Sequence, residues 1–150
     1  MDRMNISNFD LPEAHPEWNR VTGEIIRAAM AVHSHLGPIG LESVFERALL
    51  VQLRALGLSV RQQVPVSLKY LGEPIGELFI DVLVEDLVVV ELKCVEKVLD
   101  VHFAQLASYF RRGDYPLGLS INFRVMHLRD GIHRRINGRS TRFLSPAPSA

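Results

Sequence analysis

Residues 79–93 read FIDVLVEDLVVVELK, and this stretch decides the fold class of the chain. Two apolar runs flank a polar pair, a pattern that predicts two central β-strands joined by a short turn. Each run nevertheless contains charge, Asp81 in the first and Glu91 with Lys93 in the second. Side chains alternate along a strand, so Glu91 and Lys93 share a face. Because an unpaired charge is costly to bury, we expect the three groups to meet each other, a metal ion or a pocket.

The register of these two strands decides whether Asp81 joins the other two charges. A two-residue turn would place Asp81 opposite Val90, and therefore on the other face of the sheet from Glu91. A three-residue loop, 85–87, would place Asp81 opposite Glu91. We therefore predict the three-residue loop or an equivalent bulge, with Asp86 in the left-handed conformation.

The rest of the chain alternates between helical and strand-like patterns. Apolar residues at helical spacing predict three helices, over about residues 22–36, 41–56 and 100–112. Strand-like runs are predicted at 60–70, 76–84, 87–93 and 117–123. Asp130-Gly131 predicts a terminal hairpin between 125–129 and 132–136. This order predicts an α/β fold, in which an antiparallel three-strand meander is extended by a helical crossover into a mixed sheet with helices on its faces.

Composition and charge are those of one ordinary domain. The chain has 150 residues, of which 47% are apolar and 23% charged, and its formal net charge is zero. A balanced charge argues against a protein dedicated to coating a polyanion. We expect a flexible N-terminal segment at 1–18, a single domain at 19–143 and a disordered Ser/Pro/Ala-rich tail at 144–150.

Cysteine usage and hydropathy narrow the class of protein further. Cys94 is the only cysteine, which excludes an intrachain disulfide and a thiolate zinc site. No apolar run is long enough to span a bilayer, and the polar start of the chain does not resemble a signal peptide. We therefore expect a cytoplasmic protein with no membrane partner.

The three charged strand residues allow two interpretations. In the first, Asp81 and Glu91 share a hard divalent cation, Mg²⁺ or Mn²⁺, which prefers oxygen ligands. Such a metal lowers the pKa of a bound water and stabilises charge on a phosphoryl oxygen, and Lys93 beside it would orient the attacking water. In the second, Lys93 forms a buried structural ion pair with Glu91 or Asp81. Spacing alone leaves both interpretations open.

Side chains on the predicted helices extend the candidate site. Glu42 stands at the start of the second helix, where a carboxylate either caps the helix or adds a ligand. On the third helix, His102, Gln105 and Tyr109 fall at i, i+3 and i+7. This stripe either lines a cleft over the sheet or belongs partly to the core, with the tyrosine hydroxyl at the rim.

Residues 124–142 form the most basic stretch, with six arginines opposed by one aspartate. They either contact phosphates beside the charged cluster or form a solvated hairpin face. Arg124, the first of them, is the candidate substrate contact from this stretch. His33 and Cys94 are interpreted as structural residues.

Several short motifs, in order along the chain, resemble the GxxExxY protein family. They are Leu36-Gly37-Pro38, Leu41-Glu42-Ser43-Val44-Phe45-Glu46, Val90-Glu91-Leu92-Lys93, Gln105-Leu106-Ala107-Ser108-Tyr109 and Ile121-Asn122-Phe123. The resemblance spans about residues 21–136. Because that family is part of the PD-(D/E)xK nuclease-like superfamily, the resemblance implies a restriction-endonuclease-like core, with an extra N-terminal helix and a C-terminal β-hairpin.

The resemblance also implies roles for individual residues. Metal ligands are matched at Asp81, Glu91 and Glu42, and the catalytic lysine is matched at Lys93. A QxxxY motif is matched by Gln105 and Tyr109, and its glutamine supports the site. The chain departs from the family pattern at three positions, with Ile39 in place of a glycine, Phe45 in place of a tyrosine and Ile80 in place of a proline.

The expected function is therefore that of a Mg²⁺- or Mn²⁺-dependent nuclease that hydrolyses phosphodiester bonds in DNA or RNA. The expected catalytic residues are Lys93, Glu91, Asp81 and Gln105, and the expected substrate contacts are His102, Tyr109 and Arg124. The alternative is a non-catalytic module on the same fold that binds nucleic acid or a partner protein. A homodimer that builds its substrate channel from two chains is a third reading.

Overall fold

The computed structural model describes residues 15–144, so most of the predicted N-terminal segment (1–14) and of the predicted tail (145–150) lies outside the described part. The helices are α1 (Pro16–Leu36), α2 (Glu42–Ala55) and α3 (Asp100–Arg112). The strands are β1 (Val60–Tyr70), β2 (Glu73–Val84), β3 (Val88–Lys93), β4 (Leu117–Asn122) and β5 (Ile132–Ile136). Two 3₁₀ turns follow β4 and β5, at Leu128–Gly131 and Thr141–Leu144. No helix in this part of the chain combines the length and the apolarity needed to cross a membrane.

The five described strands form one mixed sheet in the order β1-β2-β3-β4-β5. The first three strands are an antiparallel meander, and β3 and β4 are parallel because α3 carries the chain between them. β5 returns antiparallel to β4. The predicted α/β class, with a restriction-endonuclease-like element order, is thus confirmed.

Two apolar cores, one on each face, hold the helices to the sheet. On one face, α1 and α2 pack through residues such as Ile25 and Leu49 onto β3 and β4. On the other face, α3 packs through Leu106 and Phe110 onto β1, β2 and β3. With both faces covered, the central strands are apolar almost throughout, which is the pattern of a sheet buried on both sides.

Helix α1 begins at Pro16, about six residues before the predicted start. Proline suits the first turn of a helix because its missing N–H has no intrahelical partner there. Trp18 and Val21 are buried against the sheet, so the added turn gains apolar contact. Residues 16–18, predicted to be flexible, therefore belong to the domain.

The predicted strand at 125–129 is wrong, and the terminal antiparallel pair is formed by β4 and β5 instead. Leu128 is buried in the core under α1 and α2, which draws this segment out of the sheet. Gly131 is needed for close packing rather than for a tight turn. A Cβ placed on it would lie 2.2 Å from the carbonyl oxygen of Asn122, at the end of β4.

We predict that Gly131→Ala destabilises the protein by about 1–3 kcal/mol, because the added methyl forces the backbone of two neighbouring segments apart. Gly138→Ala is the matched control, since a Cβ there meets no atom within 4 Å. Thermal and denaturant unfolding would measure both variants. Equal stability of Gly131→Ala and the parent protein would contradict this account of the glycine.

Candidate active site

The loop between β2 and β3 sets the register on which the site depends. Val84 pairs with Val88 and Val82 with Val90, so the loop is the predicted three-residue one, 85–87. Glu85 joins Asp86 in the left-handed conformation, with φ values of 54° and 50°. Aspartate tolerates this conformation better than most residues, because its short side chain can hydrogen-bond locally.

Asp81 and Glu91 are the next residues along these paired strands, and their carboxylates bridge the two strands. The backbone N–H of Leu92 donates to Asp81 Oδ2 at 3.0 Å, and the N–H of Asp81 donates to Glu91 Oε1 at 3.4 Å. The alternation of side chains along β2 is also interrupted here. Residues two apart in a regular strand share a face, but Ile80 packs under α3 whereas Val82 packs under α1 and α2. The two carboxylates therefore fill the place where β2 and β3 separate.

Glu91 is the most strongly perturbed of the acidic groups at the site. Its side chain is only 1% exposed. Burial raises the pKa of Glu91 to about 9, and the charge of Asp81 and a hydrogen bond to it act in the same direction, against a smaller opposing effect of Lys93. In the metal-free protein, Glu91 therefore holds a proton at neutral pH.

Lys93 is held by an amide rather than by a carboxylate. Its Nζ donates to Gln105 Oε1 on α3 at 2.5 Å. Within residues 15–144, Lys93 has no carboxylate oxygen within 4.0 Å, so the alternative of a structural ion pair with Asp81 or Glu91 does not describe this arrangement. A neutral partner leaves the full positive charge of the ammonium available to the site.

The loop that follows Lys93 is tied down by Asn122, at the end of β4. The Asn122 amide accepts from the N–H of Val95 at 3.1 Å and donates to its carbonyl at 2.8 Å. The backbone N–H of Phe123 donates to the Lys93 carbonyl at 2.9 Å. These bonds fix the chain on the far side of the lysine, a role for which the sequence offered only the resemblance of the Ile-Asn-Phe motif.

Tyr109 lies behind the carboxylates rather than at a surface open to substrate. Its side chain is 1% exposed, and its hydroxyl donates to the Phe79 carbonyl at 2.7 Å. Burial raises its pKa, and the negative charges of Glu91 and Asp81 raise it further. The predicted substrate contact is therefore corrected to a supporting role, since a buried, neutral phenol braces the strand next to Asp81.

His102 has a local role at the start of α3. Its Nδ1 accepts a hydrogen bond from the backbone N–H of Leu99 at 2.9 Å, which satisfies one end of the helix. Its predicted contact with substrate stays a prediction, and such a contact would have to be made by the other ring nitrogen, Nε2.

Arg124 is exposed just after β4. It forms an ion pair with Glu96, with 3.5 Å between the guanidinium nitrogen and the carboxylate oxygen.

The other arginines of the basic stretch do not form one continuous surface. Arg134 and Arg135 are buried, with 4% and 6% exposure. A guanidinium nitrogen of Arg134 donates to Asn19 Oδ1 at 3.1 Å, and the guanidinium of Arg135 lies 4.4 Å from the ring centre of Phe103. Both earlier interpretations, a phosphate-binding stretch and a solvated face, fail for these two residues.

His33 and Cys94 have the structural positions expected of them. The ring of His33 is buried, and its Nε2 lies 2.7 Å from the carbonyl oxygen of Val125. Cys94 packs against the core beneath α1 and α2.

Helix α2 brings two carboxylates towards Asp81 from the other side. Glu42 is the first residue of the helix and is exposed, and no side chain caps this end of the helix. Although the residue as a whole is exposed, partial desolvation of its carboxyl group raises the pKa of Glu42, and the charge of Asp81 raises it further. Glu46, one turn later, was not among the predicted site residues. It is only 9% exposed, and its pKa is raised by burial and by Asp81. Its i,i+4 spacing from Glu42 was the signal that could have found it.

Asp81 and Glu91 fit a hard divalent cation as a two-carboxylate site. Their carboxyl groups lie close together, and the cost of ionising both, which raises the pKa of Glu91, is what a cation would offset. Within residues 15–144, no group of three or more acidic, His or Cys side chains is close enough to hold a metal ion, so the predicted third ligand, Glu42, stays a prediction. Mg²⁺ often binds through only one or two carboxylates and keeps several waters.

Comparison with family models identifies one relationship. The model of the PD-(D/E)XK nuclease superfamily matches residues 19–135, which include all of the candidate site residues discussed above. A search of curated proteins found no match. A search of solved structures found none either.

We predict that Glu91→Gln stabilises the metal-free protein at pH 7–8 by at least about 1 kcal/mol. Because the folded pKa of Glu91 is raised to about 9, its contribution to stability is complete below its unfolded pKa and is lost as the pH rises towards 9. The amide removes this loss, so the dependence of unfolding free energy on pH should flatten between about pH 5 and 9. Glu77→Gln, at an exposed position of β2, is the control. A variant that is less stable than the parent at pH 8 would contradict the prediction.

Proposed function

The chain belongs to the PD-(D/E)XK nuclease superfamily, and from that membership and the geometry of the site we propose that it is a metal-dependent nuclease that hydrolyses phosphodiester bonds. The observation that carries the proposal is the convergence of Asp81, Glu91 and Lys93 where β2 and β3 separate. A buried glutamate and a half-buried aspartate beside an ammonium held by an amide cost stability, and catalysis is the use that accounts for this cost.

The residues that would hold Mg²⁺ or Mn²⁺ are Asp81 and Glu91, with the carboxylate of Glu42 close enough to add to the negative potential. When bound, the cation supplies a Lewis acid for a phosphoryl oxygen and lowers the pKa of a water molecule. Glu91 must release its proton first, so that both carboxylates are ionised.

Lys93 is suited to act on the substrate rather than on the carboxylates. Gln105 accepts one hydrogen of its ammonium group and thereby aims the remaining N–H donors. An ammonium in this position offsets negative charge that develops on the phosphate and orients the attacking water. Gln105 acts through Lys93 and is a positioning residue.

Nucleic acid is the substrate class that this chemistry fits, and DNA and RNA share the bond to be cleaved. The balanced net charge supports recognition through a few local contacts rather than through a broad basic surface. Arg124 is the arginine we propose for a phosphate contact, because it is exposed and comes next after Phe123, whose N–H bonds to the Lys93 carbonyl.

We predict that the purified protein cleaves DNA or RNA in the presence of Mg²⁺ or Mn²⁺, and that Lys93→Ala and Asp81→Ala each lower kcat at least about 100-fold. Single- and double-stranded substrates of both kinds would be tested by gel. Lys97→Ala removes an exposed lysine four residues away and should leave the rate unchanged. Equal cleavage by the parent and both site variants would identify a contaminant.

We also predict that Mg²⁺ or Mn²⁺ raises the melting temperature of the parent protein, and by more at pH 8 than at pH 6. Metal binding stabilises the folded state by about 2.7 kcal/mol at a hundred times Kd. The pH dependence follows because the metal competes with the proton of Glu91. Asp81→Asn should lose the effect. An absence of both metal binding and cleavage would favour the non-catalytic module.

A further inference from the structure

Gln63 has a backbone conformation that is unusual for its place in the fold. Four non-glycine residues in the described part of the chain have a positive φ, and Leu71, Glu85 and Asp86 lie in tight turns. Gln63 lies in the middle of β1 with a φ of 52°. An L-residue pays for this conformation, and such strain persists only where the surrounding structure holds it.

The strained residue lies directly across from the catalytic aspartate. Gln62 pairs with Val82 and Val64 pairs with Ile80, so Gln63 faces Asp81 across the β1–β2 ladder. This is also the point at which β2 changes face between Ile80 and Val82. The irregular backbone of β1 and the altered face of β2 therefore occur at the same level of the sheet.

The side chain of Gln63 reaches helix α2. Its Nε2 donates to Glu46 Oε1 at 3.1 Å, which joins the edge strand β1 to the first turns of the helix. Phe45, which immediately precedes Glu46, contacts the segment after β4. Its ring stacks on that of Phe123, with the ring centres 4.6 Å apart. The start of α2 has no side-chain cap, so it depends on tertiary contacts, of which these are two.

We propose that Gln63 is a positioning residue for the site. Its left-handed backbone directs its amide to Glu46, and this hydrogen bond holds the first turn of α2, with Glu42, beside Asp81. The inference rests on the proposed nuclease function and extends it to a residue on the edge strand. The strain at Gln63 is retained because a relaxed strand would aim the amide elsewhere.

The variant that separates function from stability is Gln63→Gly. Glycine adopts a φ of 52° without strain, so the metal-free protein should melt at or above the temperature of a variant that only loses the amide, Gln63→Ala. Both variants should bind Mn²⁺ about tenfold more weakly by calorimetry and show a lower kcat with little change in KM, as expected when support for a metal site is removed. A purely structural role would make loss of activity follow loss of stability.

Matched variants test each end of the contact. Glu46→Gln keeps an acceptor oxygen for Gln63 but removes a negative charge near Asp81, so the affinity and rate that it loses measure the effect of the charge alone. Glu46→Leu should show a further loss equal to that of Gln63→Gly, and the double variant should be no worse than Glu46→Leu, because both changes remove the same contact. Leu71→Gly relieves the same kind of strain at a hairpin tip that is 88% exposed and should change neither readout.

Two results would overturn the inference. The first is that Gln63→Gly and Glu46→Leu both bind Mn²⁺ and turn over substrate as the parent protein does. The second is that the double variant loses metal affinity by the product of the two single losses. A parent protein that binds Mn²⁺ and cleaves nothing would remove the proposed nuclease function alone, since the metal affinities of the variants still decide the role of Gln63. A parent that neither binds metal nor cleaves nucleic acid would remove both.

Discussion

The site depends on the hydrogen bond from the backbone N–H of Leu92 to the Asp81 carboxylate. In this bond a side-chain oxygen accepts from the N–H of a neighbouring strand, as a backbone carbonyl does in a regular sheet. It requires Asp81 to lie opposite Glu91, a register that the buried valines enforce. Val88 and Val90 are completely buried against the helices. A slip by one residue would turn such side chains into the opposite core, under α3, and would disrupt the close packing of both layers. The apolar core therefore maintains the alignment of two acidic groups that are costly to ionise together.

The charges at the site are tolerated because each has a different kind of support. Glu91 is buried and keeps a proton, whereas Asp81 accepts a backbone hydrogen bond. Lys93 is turned towards an amide and so keeps its charge. Such an arrangement stores electrostatic cost in the metal-free protein, which a bound cation would relieve. This is the reason that metal affinity and pH must be linked in this protein.

The site is assembled from both layers of helices. Helix α3 supplies Gln105 and Tyr109 from one side, and α2 supplies Glu42 and Glu46 from the other. The two layers meet at the one level of the sheet where β2 and β3 separate and β2 changes face. A chain of 150 residues can build such a site because the irregularity of the sheet gives both layers access to the same groups.

Local pattern in the sequence determined the helices, the central strands and the three-residue loop, because alternation and the cost of burying charge act within neighbouring residues. It also identified Asp81, Glu91 and Lys93, whose charges interrupt apolar strands. Tertiary structure alone decided the contacts between distant segments. The close approach of Gly131 to Asn122 replaced the predicted hairpin, and Phe103 received the guanidinium of Arg135. The roles of Glu46 and Gln63 likewise depend on a helix and an edge strand that meet only after folding, and no spacing along the chain encodes that meeting.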